Sequence, residues 1–154
     1  MRDFNDKDRS KKAGRMTLDD NPANLSPEVL TRLESEIKSA LKEGYLPCPA
    51  GWKIADNMGI PRIAVGAVMD KLGIRISNCQ LGFFRVDKTA GPDRAAEDLH
   101  PRIVVSLKEM DEAHKLTCAA VFELAPTLKE TPALISKTAN ALGIKIRNCQ
   151  LGCF

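Results

Sequence analysis

Polar and apolar positions alternate along this chain with two distinct periods. Leu30, Leu33, Ile37 and the pair Ala40/Leu41 recur at helical spacing, so the segment predicts an amphipathic helix. Ser26 with Pro27 directly after it suits the start of that helix, and Gly44 stops it. "YLPCP" reads as a short, proline-marked extended stretch. A second helix is predicted from about Ala50 to Met58, ended by Gly59, and a third from Pro61 to Leu72, ended by Gly73. The period then changes to two. Ile74 and Ile76 alternate with polar residues before a turn near Gln80–Gly82, so "IRISNCQLGFFRV" (74–86) predicts a β-hairpin.

The same order of elements is written twice. Sliding the chain by seventy residues lays 28–84 on 98–154 without a gap. Identical pairs include Arg32/Arg102, Leu46/Leu116, Cys48/Cys118, Ala55/Ala125 and most positions from Leu72/Leu142 through "NCQLG" to Phe84/Phe154. Other pairs keep their type, as in Ile37/Leu107, Trp52/Phe122, Ile54/Leu124 and Val65/Ile135, so both copies are expected to bury the same faces. The fold class that follows is mainly α with short β-hairpins, in two tandem units of three helices plus a hairpin. The expected boundaries are a mobile polar arm at 1–25, unit one at 26–86, a linker at 87–97 ("DKTAGPDRAAE" lacks an apolar period) and unit two at 98–154.

Composition narrows the function classes. With 154 residues, two small domains fit near the lower size limit for independent folding. The 44% hydrophobic and 28% charged content is that of a globular protein. No stretch approaches the roughly 20 apolar residues of a membrane span, and the polar start does not read as a secretory signal. A cytoplasmic location is the expectation. Net charge is only +3, and each copy carries seven basic and six acidic side chains. That balance counts against tight nonspecific nucleic-acid binding, which depends on phosphate neutralisation. Five cysteines in a reducing compartment do not make a disulfide framework.

Within copy one, "GWKIADNMGIPRIAVGAVMD" (51–70) resembles the helix-turn-helix motif of DNA-binding regulators. The motif asks for alanine at its fifth position and glycine at its ninth, filled here by Ala55 and Gly59. Its aliphatic places hold Ile54, Met58, Ile60, Val65 and Val68. A helix before it and a hairpin after it make each unit similar to a winged helix. Copy two keeps Leu124, Ala125, Leu128 and Ile135, but Lys129 stands at the turn glycine and Pro126 falls inside the second helix. An altered turn and a shortened or kinked helix are expected there.

The resemblance implies double-stranded DNA as a partner, with the third helix entering the major groove. Its exposed candidates are Arg62, Ile63, Gly66 and Ala67 in copy one, and Thr131, Ser136, Lys137 and Asn140 in copy two. Arg62 is the strongest base reader of the first set. The polar side chains of copy two suit DNA better, on a poorer motif. Arg2, Lys7, Arg9, Lys11, Lys12 and Arg15 of the arm suit a phosphate backbone or minor groove, as in homeodomain arms, but interleaved with Asp3, Asp6 and Asp8 they read rather as a solvated tail. Gly66 and Ala67 also leave a flat surface that another element can approach, so a protein-interaction or assembly module, or a homo-oligomer, stands as the alternative. Cys48/Cys118 and Cys79/Cys149 persist in both copies; they read as small buried hydrophobes or, on a third reading, as thiol or metal sensors. No nucleophile–base pair, carboxylate pair or phosphate loop is present in the sequence, so neither an enzyme nor a cofactor or metal site is expected.

Overall fold

A computed structural model of the chain describes residues 6, 7, 10, 18–83 and 100–153. Most of the polar arm and the whole 87–97 linker lie outside them. Six helices and one two-stranded sheet make up the elements among the described residues, and they pack as two compact units.

Unit 1 opens with α1, Pro27–Ser39, where the Ser26 hydroxyl accepts a hydrogen bond from the Val29 N–H at 3.4 Å. Leu33 and Ile37 on its inner stripe are fully buried. Strand β1, Tyr45–Pro47, leads into α2, Cys48–Met58, and then α3, Arg62–Leu72. Strand β2, Arg75–Ser77, follows. The β element expected after the third helix is therefore present, but its partner is β1 in parallel register, Tyr45↔Arg75, Leu46↔Ile76 and Pro47↔Ser77. A parallel pair needs a crossover, which α2 and α3 provide. Asn78, with φ of 48°, turns the chain out of the sheet directly after β2 and residues 78–83 form a turn; the remainder of the expected hairpin, 84–86, lies outside the described residues.

Unit 2 repeats the plan with α4 (Pro101–Glu112), α5 (Cys118–Leu128) and α6 (Pro132–Ala141). A single parallel bridge, Thr117↔Arg147, is the seventy-residue image of Pro47↔Ser77. The turn between α5 and α6, expected to differ, has the same geometry as its counterpart. Lys129 adopts φ 57° where Gly59 has 64°, and the Glu130 N–H donates to the Ala125 carbonyl at 3.0 Å, as Ile60 does to Ala55. Pro126 neither shortens nor ends α5, which spans eleven residues like α2. Lysine meets the left-handed requirement at a conformational cost that glycine escapes.

The packed units do not follow the repeats. Unit 1 groups Met1–Cys79 with Gln150–Phe154, while unit 2 is Gln80–Cys149. Each "NCQLG" is divided after its cysteine, and its Gln-Leu-Gly packs with the unit built mainly from the other repeat.

Candidate functional site

The four candidates of copy one lie along α3, and three side-chain contacts fix the first of them. The Arg62 guanidinium lies over the Trp52 ring, 3.8 Å from its centroid. Its Nη1 donates to Gln150 Oε1 at 2.6 Å, and Nη2 faces Asp56 Oδ1 at 3.4 Å. An arginine held by a ring face, an amide and a carboxylate has its donors directed within the protein.

Gly66 and Ala67 are buried, not exposed as the sequence reading had them. The reason is steric. A Cβ at Gly66 would overlap the Leu151 carbonyl, so the glycine admits the backbone of residues 150–152 directly against α3. Leu151 is fully buried; a Cβ at Gly51 would stand 3.3 Å from both its Cδ1 and Leu46 Cδ2. Ile63 is half-buried at the edge, close to Gly152 and Leu18. The flat surface read from Gly66 and Ala67 thus receives a Gln-Leu-Gly turn.

In α6 the same positions face differently. Thr131 caps the helix, its hydroxyl accepting from the Leu134 N–H at 3.2 Å. Lys137 and Asn140 are exposed. Ser136 is buried at 1% exposure, and its hydroxyl has no hydrogen-bond partner among the described residues. Two further residues belong with this set. Residues 131–153 contain Lys137, Lys145 and Arg147 but no aspartate or glutamate, and all three cations are exposed. That run was visible in the sequence; counting charge over whole copies hid it.

Cys48, Cys79 and Cys118 are buried and Cys149 and Cys153 half-buried, all as thiols. Among the described residues no cluster of three His, Cys, Asp or Glu side chains is placed to hold a metal ion. No described helix is long and apolar enough to cross a membrane. His100 caps α4, accepting from the Arg102 N–H at 3.3 Å. Comparison with protein-family models, with curated proteins and with solved structures returned no match.

Proposed function

We propose that the protein is a DNA-binding regulator of the cytoplasm, built from two units related to the winged helix, in which α6 of unit 2 is the reading helix. One observation carries this reading. The helix-turn-helix of unit 2 exposes Lys137 and Asn140 on α6, and an acid-free run through Lys145 and Arg147 follows it. Asparagine pairs with adenine through two hydrogen bonds, and lysines engage phosphate or guanine. The role first given to Arg62 passes to Asn140, because Arg62 is committed to Trp52, Gln150 and Asp56.

The test is selection of bound duplexes from a random library, followed by titration of the enriched sequence. Asn140→Ala should weaken specific binding by about 1–3 kcal/mol. Lys137→Ala should weaken specific and nonspecific binding alike and reduce the salt slope by about one. If no sequence is enriched, the reading fails.

A second reading, a protein-interaction or assembly module on the same fold, is favoured by two observations. The α3 face is occupied by a peptide turn. In unit 2, an apolar groove of about 420 Å³ runs along Pro101, Val105, Leu124 and Leu128, with Val105 55% exposed.

A further inference from the structure

The slot on α3 has the properties of a peptide-reading site. It recognises a side chain, because Arg62 Nη1 meets Gln150 Oε1 at 2.6 Å while Trp52 backs the guanidinium. It recognises an apolar anchor, because Leu151 is fully buried with its side chain against Gly51. It recognises a backbone, because Gly66 leaves the Leu151 carbonyl a place that any side chain would take. The ligand of this slot is spelled twice in the chain, as Gln80-Leu81-Gly82 and Gln150-Leu151-Gly152. Both copies have the same bends, with Asn78 and Asn148 at φ 48° and 51° and Gly82 and Gly152 at 82° and 64°.

The turn in the slot of unit 1 is not the one that repeat one carries. Residues 150–154 group with unit 1, and Gln80 opens unit 2, in which Leu81 is 3% exposed. Unit 1 is completed by a turn that repeat two carries, the arrangement known as a domain swap when the two parts are separate chains. Nothing in the contacts themselves distinguishes a turn on the same chain from an identical one on another molecule. The covalent link favours the first by effective concentration alone, on the order of millimolar for a short flexible connection.

The geometry points to the α3 face of unit 1 as an exchangeable docking slot for a Gln-Leu-Gly turn, with a second copy of this chain as its partner: residues 150–152 of one molecule enter the slot of another, and the pair assembles by mutual exchange. The inference rests on the assembly reading above and is independent of DNA binding.

Two full-length variants test it by complementation. Gly66→Val blocks the slot and leaves the turn intact; Leu151→Asp spoils the turn and leaves the slot intact. Mixed in equal amounts under reductant, they should give a heterodimer by native mass spectrometry that neither shows alone. Adding Arg62→Ala to the Leu151→Asp chain should weaken that heterodimer at least about tenfold, the loss expected for a charge-assisted hydrogen bond. Absence of the heterodimer, with both variants folded by circular dichroism, overturns the proposal.

A labelled peptide of residues 77–84, "SNCQLGFF", is titrated in parallel onto the Leu151→Asp chain. Peptide binding without a heterodimer rejects the second copy as partner while keeping the slot as an interaction site. Failure of both rejects the assembly reading on α3 as well. Should either variant be unfolded, wild-type chains carrying donor or acceptor dyes answer the same question. Energy transfer that rises with concentration supports exchange, and none up to about 1 mM overturns it.

Discussion

Helices α3 and α6 occupy equivalent places seventy residues apart, in units that share their turn and their parallel strand contact, and they present opposite kinds of surface. On α3 every residue from Ala64 to Met69 is buried, whereas α6 alternates buried Ile135, Ser136, Thr138 and Ala139 with exposed Lys137 and Asn140. Small differences account for this. Gly66 becomes Ser136, Ala67 becomes Lys137, and the Arg62 clamp becomes Pro132. The duplicated unit therefore keeps its framework while one copy closes its third helix with a peptide turn and the other leaves Lys137 and Asn140 exposed. The shared core explains the common fold; these few positions explain the divergence.

The largest expected effect comes from removing the anchor of the closed face. Leu151→Ala deletes a fully buried side chain and should cost about 2–5 kcal/mol in urea unfolding. Trp52 is the only tryptophan and lies against Arg62, so its fluorescence reports on unit 1. The variant should lose the Trp52 transition at lower urea than wild type, even though residue 151 comes far later in the chain. An unchanged Trp52 transition would break the assignment of the 150–152 turn to unit 1.

Arginine and asparagine separate the two faces next. On the DNA-binding proposal, Asn140→Ala should lose about 1–3 kcal/mol of specific affinity. Arg62→Ala should leave that affinity unchanged while lowering the Trp52 transition. The reverse pattern would return the reading role to α3 and require its slot to open.

The limits of the sequence reading follow from the same residues. Helix positions and the repeat were legible because apolar spacing and the Gly59 turn are local signals. The seat of the 150–152 turn on α3 was not, since the chain spells Gln-Leu-Gly twice and periodicity carries no information about which chain segment fills a slot. The partner of Ile74–Ile76 was equally hidden: alternation predicts a strand but not its neighbour, which is β1 in parallel register. Arg62 was legible as a strong donor; what it donates to was not.

Smaller effects sharpen the comparison of the turns and of the two buried positions. Lys129 holds a left-handed conformation that Gly59 holds without strain, so Lys129→Gly should stabilise unit 2 by about 1 kcal/mol. A neutral result would mean that the lysine side chain offsets its strain by packing. Ser136→Ala removes a buried hydroxyl that has no partner among the described residues, and should raise stability by up to about 1 kcal/mol. Thermal unfolding followed by circular dichroism measures both, and a clear loss of stability in Ser136→Ala would show that the hydroxyl is satisfied.

The smallest expected effect contrasts the first helices. Glu28 lies in the first turn of α1, whereas α4 has no acidic residue in its own first turn. The Ser26 hydroxyl, and then the backbone N–H of Glu28, hold this carboxyl below its ordinary value of 4.5. The folded helix thus favours the charged form, as expected for a carboxylate at a helix N-terminus. A depressed folded pKa contributes stability that is fully present above the unfolded value and is lost as pH falls through the folded one. Because the group is fully exposed, the effect is small and screened by salt. Glu28→Gln should therefore lower the Trp52 urea midpoint slightly at neutral pH, with the gap from wild type closing below 4.5. A gap that persists undiminished at about pH 3 would mean that Glu28 acts through packing and not through its charge.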